Sequence, residues 1–343
     1  MSALERRRLH AMTEPLLPRD ALFSDGELPP DIPVCDHYCG TEARMRKALA
    51  LQAQMGPVFD ITLDCEDGAP VGREAEHAAL VAELVNGADN RFGRVGARVH
   101  PVDHPAFEAE LDTLVGRAGD RLAHLMVPKP RDLGDARRAL AAVDAAARRH
   151  GQGAALPVQM LIETHGALRD VFAIAALPRL QSLSFGLMDF VSAHRGAIPH
   201  SAMSAEGQFR SPLVVRAKLE IAAACHAAAK VPSHSVVTEF RSEAAIMDAA
   251  TRAAREFGYL RMWSIHPAQI RPIIDAFAPT AAEVDEAIEI IAAAQAAHWA
   301  PIRHRDTLHD RASYRYFWHV IERARRTDQP MPAEAAAAFF GPG

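Results

Sequence analysis

The sequence predicts a (β/α)₈ barrel. Three observations carry that expectation. Eight short, apolar, β-leaning runs are spaced along the chain. Alanine-rich amphipathic stretches separate them, which is the pattern of βα units on a parallel sheet. The alternation fills the roughly 250 residues that such a barrel takes. The competing architecture, an open doubly wound sheet that binds dinucleotides, lacks support because no G-x-G-x-x-G follows the first run.

The β-leaning runs lie at 32–35 (IPVC), 58–63 (VFDITL), 95–99 (VGARV), 122–127 (LAHLMV), 156–162 (LPVQMLI), 182–185 (SLSF), 235–239 (SVVTE) and 261–265 (RMWSI). The helical stretches are 42–55, 74–87, 105–117, 133–150, 166–176, 212–230, 242–257 and 268–276, with a further helix at 281–299. This gives an irregular lead-in over 1–30, a barrel domain over 31–299 and a C-terminal tail over 300–343. In the tail, Tyr314, Phe317, Trp318 and Ile321 share one helical face. That face needs a surface to bury against, on the chain's own barrel or a neighbouring subunit; capping an active site is the sharper reading.

The bulk properties narrow the class. The chain has 343 residues, 49% hydrophobic and 24% charged, with a formal net charge of −5. There is no basic field for nucleic acid. Cysteines stand only at 35, 39, 65 and 225, too scattered for a disulfide framework, which points to a reducing compartment. Cys35, His37 and Cys39 suggest a metal clip, but a structural zinc site takes four ligands. The opening MSALERRRLHAM is basic without a following apolar run, unlike a secretory signal. No stretch approaches the about 20 apolar residues of a membrane span. The expected location is cytoplasmic, without membrane or nucleic-acid partners.

Polar and charged residues gather where the runs end. Run two ends in Asp64, Glu66 and Asp67, run three in Arg98 and His100, run four in Lys129, run five in Glu163 and run eight in His266, while Asp189 follows run six. In a barrel, strand C-termini converge on one mouth, where active sites are built. Glu163 and Asp189, from neighbouring strands, suit Mg²⁺, which takes few protein oxygens and keeps several waters. Arg98 offers a fork of donors to a carboxylate. Glu66 and Asp67 suit holding metal-bound water, or acting as general base. Each residue also has a bland reading. Glu163 precedes Thr164, a helix cap; Asp189 is a loop acid; Lys129, between prolines, is a solvated turn residue; His266 is a hydrogen-bonded turn residue. Arg98, in an apolar run, resists such a reading, because an unpaired buried guanidinium is costly.

These residues lie in ordered motifs that resemble the HpcH/HpaI aldolase–citrate lyase superfamily, in its citrate lyase β-subunit-like and malyl-CoA lyase-like branch. The motifs are Lys47-Ala48-Leu49, Asp64-Cys65-Glu66-Asp67, Arg98-Val99-His100-Pro101, Pro128-Lys129, Ile162-Glu163-Thr164, Phe185-Gly186-Leu187-Met188-Asp189 and Ile265-His266-Pro267-Ala268-Gln269. The resemblance implies a TIM barrel, trimeric or hexameric, with Mg²⁺ on Glu163 and Asp189. It places Arg98, Lys47, Lys129 and His266 on the substrate. The implied reaction is cleavage of a 3-hydroxyacyl-CoA, such as citryl-CoA or malyl-CoA, to an acyl-CoA and an oxo-acid. The chain departs from the pattern in places. His100 replaces Asn, Cys65 replaces an apolar residue, and run seven lacks an Asp. The family's C-terminal acid has no clear counterpart, although Asp306 and Asp310 lie in that part of the chain. Two other readings stay open on sequence alone: a metal-dependent aldolase or thioesterase on a related substrate, and a barrel that binds a metabolite or partner without turnover.

Overall fold

The computed structural model describes residues 16–341 other than 25 and 154, so the basic opening stretch lies outside the described residues. The described residues form two compact units, residues 29–277 and residues 16–28 with 278–341.

The larger unit is a closed barrel of eight parallel strands, arranged in chain order. They are β1 (Cys35–Cys39), β2 (Asp60–Asp64), β3 (Val95–Arg98), β4 (Leu125–Val127), β5 (Val158–Ile162), β6 (Leu180–Phe185), β7 (Val231–His234) and β8 (Arg261–Ser264). β8 closes the barrel on β1, with Cys35 opposite Met262 and His37 opposite Ser264. Helices Glu42–Met55, Glu74–Asn86, Phe107–Ala118, Leu133–Arg149, Pro212–Ala227, Glu243–Arg255 and Pro267–Phe277 follow the expected stretches within a few residues. The stretch at 166–176 instead breaks at Asp170 into His165–Arg169 and Val171–Ala175. Asp170 there accepts the backbone N–H of Leu133 at 3.1 Å.

Two strands differ from expectation. β1 starts where the run 32–35 ends, and β7 precedes the run 235–239. Their sequences, CDHYC and VPSH, carry polar residues that alternation of hydrophobicity does not detect. The barrel satisfies several of them internally: Asp36 pairs with Arg261 at 2.9 Å, and His37 Nδ1 lies 2.9 Å from Ser264 Oγ. His37, the central residue of the Cys35–His37–Cys39 spacing, thus has a hydroxyl partner inside the barrel.

The lumen is layered along the strands. Toward the strand N-termini, Arg261 holds Asp36 and Asp60, and the Thr62 hydroxyl donates to Asp36 at 2.8 Å. Farther along, Tyr38, Met126, Leu161 and Trp263 pack into an apolar plug. The charged groups of the mouth come from residues at or beyond the strand ends.

The smaller unit holds helix Ala281–Ala296, the antiparallel hairpin β9 (Ile302–His304) and β10 (Thr307–His309), and helices Pro18–Leu22, Arg311–Arg326 and Ala333–Phe340. Tyr314, Trp318 and Ile321 are buried against Leu22, Ile290, Ile291 and Phe339, with Phe317 half-buried at the edge. The aromatic face of the tail therefore buries within its own unit. Among the described residues no helix is long and apolar enough to cross a membrane.

Candidate active site

Arg98 is the best-anchored group at the barrel mouth. Its Nε and Nη2 donate to the two oxygens of Asp64 at 2.7 and 2.5 Å, and Nη1 lies 3.1 Å from Glu66 Oε2. β2 and β3 put Asp64 directly opposite Arg98, so the pair is set by strand register. Burial works against the arginine's charge, but Asp64 and Glu66 outweigh it and raise its pKa. Asp64 also accepts the backbone N–H groups of Glu66 and Gly68 at 2.9 and 2.8 Å, which ties down the acidic loop after β2. This loop packs so closely on the end of β1 that a Cβ on Gly40 would overlap the Gly68 carbonyl.

Lys129 joins the remaining acids. Its ammonium lies 2.5 Å from Glu66 Oε1, 2.7 Å from Asp67 Oδ2 and 3.8 Å from Asp189 Oδ1. Burial lowers its pKa, but the bonds to Asp67 and Glu66 prevail and raise it. The same contact prevails over partial burial at Asp67 and lowers its pKa. Lys129 takes φ +52°, in the left-handed region, between Pro128 and Pro130. Such strain persists where surroundings enforce it, often at functional sites. Here its backbone N–H donates to Glu163 Oε1 at 2.9 Å. It is a structured residue of the mouth rather than a solvated turn.

Glu163 is 3% exposed. Burial pushes its carboxyl well above the usual carboxylate range, and Asp189 adds to the effect; Arg98 and Lys129 oppose it. Asp189, on the short helix Leu187–Ser192 after β6, is half-exposed. The arrangement suits a divalent cation. Two carboxylates repel each other, while both nearby cations already serve Asp64, Glu66 and Asp67. The donors are oxygens, which fits Mg²⁺ completed by water and substrate. Among the described residues no cluster of three or more His, Cys, Asp or Glu forms an all-protein metal cage.

The sequence profile of the HpcH/HpaI aldolase/citrate lyase family matches residues 45–267. The chain belongs to this family. An L-malyl-CoA/beta-methylmalyl-CoA lyase of Cereibacter sphaeroides (strain ATCC 17029 / ATH 2.4.9) is 31% identical over 246 residues, covering 69% of this chain and 77% of that protein. The enzyme of the same name from Rhodobacter capsulatus is 26% identical over the same shares. A crystal structure of a citrate lyase from Burkholderia xenovorans LB400 is 54% identical, with a TM-score of 0.82 over 95% of this chain and 99% of that one. CitE from Mycobacterium tuberculosis, solved with magnesium, acetoacetate and coenzyme A, shares the fold at 18% identity, with a TM-score of 0.65 over 86% of this chain and 98% of that one.

In this family member the sequence-derived site residues form two groups. Arg98, Glu66, Asp67, Lys129, Glu163 and Asp189 make the charged centre. Lys47 and His266 meet elsewhere, in a cavity of about 480 Å³ that Arg44, Phe240 and Ile265 also line. His266 stacks on Phe240 with centroids 4.8 Å apart. His37, also on the wall, is held neutral because burial pushes its pKa down to about 4. His100 lies outside both groups, bonded to Glu110 at 2.6 Å. Asp306 sits in the turn of the β9–β10 hairpin, and Asp310 caps helix Arg311–Arg326 by accepting the N–H groups of Ala312 and Ser313. Residue-type logic passed over Arg44, Tyr38, Phe240 and the anchoring role of Asp64. The signal for Asp64 was present, as the first acid of the motif; for Phe240 there was none.

Proposed function

We propose that this carbon–carbon lyase cleaves a 3-hydroxyacyl-CoA, such as malyl-CoA or citryl-CoA, into an acyl-CoA and an oxo-acid, with Mg²⁺ held by Glu163 and Asp189. The observation that carries the reading is Arg98, buried and doubly bonded to Asp64, beside two acids, Glu163 and Asp189, of which only Asp189 has a cation near it, Lys129 at 3.8 Å and already bonded to Glu66 and Asp67. The names of the relatives support the thioester substrate.

Arg98 has five N–H donors. Two serve Asp64 and Nη1 also faces Glu66, which leaves the remaining N–H groups of Nη1 and Nη2 for the carboxylate of the oxo-acid half. A Mg²⁺ held by Glu163 and Asp189 would supply a Lewis acid for the hydroxyl or keto oxygen beside that carboxylate. Lys129 holds Glu66 and Asp67 in place, and its backbone holds Glu163. In the cleavage direction the substrate hydroxyl loses its proton and the adjacent carbon–carbon bond breaks. Its electron pair passes to the thioester enolate, whose α-carbon then takes a proton. Glu66 and Asp67 are proposed to order water at the centre, a role their ion pairs with Lys129 favour, and they remain the candidates for the proton transfers. The thioester itself stays intact.

The cavity lined by Arg44, Lys47 and His266 is the proposed berth for the CoA arm. Two exposed cations one helical turn apart suit phosphates, and the Phe240–His266 stack offers an aromatic surface. The reading includes a cytoplasmic homo-oligomer, trimer or hexamer. All four cysteines are free and buried, which agrees with a reducing compartment.

The test is Mg²⁺-dependent binding of glyoxylate, pyruvate or oxaloacetate, together with cleavage of malyl-CoA and citryl-CoA. Glu163→Gln and Asp189→Asn should each abolish the metal-dependent signal. Retained metal-dependent binding in both variants would overturn the assignment.

A further inference from the structure

We infer that Tyr38 is a positioning residue that fixes the plane of the Arg98 guanidinium. The inference rests on the proposed role of Arg98 in holding the oxo-acid. Asp64 and Glu66 touch nitrogens of the guanidinium and fix its in-plane position. Contacts at the rim do little against tilting or rocking out of that plane. The third dimension comes from Tyr38, whose ring centroid lies 5.5 Å from Arg98 Cζ, within cation–π range. Tyr38 is backed in turn by Trp263, with centroids 4.3 Å apart and planes 18° from parallel. The strands that carry Tyr38 and Arg98 are separated by β2, so the contact reaches across the lumen instead of along a strand pair.

Both aromatic rings are more than nine-tenths buried and belong to the apolar plug with Met126 and Leu161. The ring therefore has little freedom to follow a moving arginine. It also excludes water from one guanidinium face, which strengthens the charge presented to substrate. The Tyr38 hydroxyl is buried without a well-formed hydrogen bond. The ring face is thus the working part, and phenylalanine should replace it.

The test is a double-mutant cycle on the full-length protein, read as Mg²⁺-dependent glyoxylate binding by calorimetry and as malyl-CoA turnover. Tyr38→Leu should weaken glyoxylate binding and lower kcat/KM for the thioester, each about tenfold. Tyr38→Phe should keep most of both activities. In an Arg98→Lys background, Tyr38→Leu should have almost no further effect, because its influence passes through the guanidinium. Thermal melts verify folding, with Tyr38→Met and Arg98→Gln as second variants. An equal loss in both backgrounds, or a Phe variant as impaired as Leu, would overturn the positioning role and leave Arg98's role intact. An unimpaired Arg98→Lys would overturn both.

Discussion

Gly186 and Glu163 occupy adjoining space: a Cβ on Gly186 would overlap Oε2 and the side-chain carbons of Glu163. The glycine has φ −89°, a value any residue adopts, so the requirement is for room and not for backbone freedom. Gly186→Ala should therefore displace the carboxylate while leaving the turn intact. Mg²⁺ affinity should fall roughly tenfold or more, the range seen when the support of a metal ligand is lost. Calorimetric Mg²⁺ titration in the presence of glyoxylate checks this, and unchanged affinity would separate Glu163 from the metal.

Arg44 and Lys47 are exposed on helix Glu42–Met55 and border the cavity with His266. If they bind the phosphates of CoA, Arg44→Ala and Lys47→Ala should each raise KM for the thioester about tenfold, with kcat nearly unchanged. Binding of free glyoxylate should not respond. Added salt should narrow the gap between wild type and variants, since exposed charges are screened. A loss in kcat with constant KM would place these cations in the chemistry instead.

Much of the charged centre was legible because its residues stand where strands end. Glu163, Arg98 and Lys129 stand at or just past the ends of apolar runs that βα periodicity reveals, and the barrel brings such ends together. The first and seventh strands were misplaced for the opposite reason. CDHYC and VPSH are polar strands whose side chains find partners only across the closed barrel, so local hydrophobicity points to neighbouring runs. Asp36 makes sense only once Arg261, from β8, is seen beside it. Phe240 lies far in sequence from Lys47, and nothing local marks it as a cavity wall. Tyr38 escaped notice because its partners, Trp263 and Arg98, come from two other strands.

Lys218 gives a pH signature outside the site. It is fully buried in helix Pro212–Ala227, with Nζ 2.8 Å from Gln208 Oε1 and 3.8 Å from the centroid of Phe209. Burial, with Arg252 nearby, holds its pKa well below the ordinary lysine value. The unfolded chain thus binds the proton more tightly, and this residue's contribution to stability rises with pH until about 10.4, the unfolded value. The buried thiols act the other way above about pH 8.5, because burial raises their pKa in the fold. Comparing Lys218→Met with wild type isolates the lysine. The variant should be more stable at neutral pH, and its advantage should shrink as pH rises toward 10 or so. Urea unfolding across that range measures it; a pH-independent difference would mean Lys218 is charged in the fold.

Arg261 supports the site from within the barrel. It is fully buried and pairs with Asp36 at 2.9 Å and Asp60 at 2.6 Å. Removing one partner from a buried ion cluster leaves uncompensated charge, which costs about 3–5 kcal/mol, whereas replacing the whole cluster with neutral groups is often tolerated. Arg94 lies 3.9 Å from Asp60 and is partly exposed, so it offers Asp60 weak relief and Asp36 none. Arg261→Met should therefore destabilise by several kcal/mol at neutral pH. The triple variant Asp36→Asn, Asp60→Asn, Arg261→Met should recover most of the loss, with the Thr62 hydroxyl still able to donate to residue 36. Urea unfolding of the single and triple variants decides the matter. A single variant within about 1 kcal/mol of wild type would show that the cluster adds little, since breaking a buried pair otherwise costs several times that.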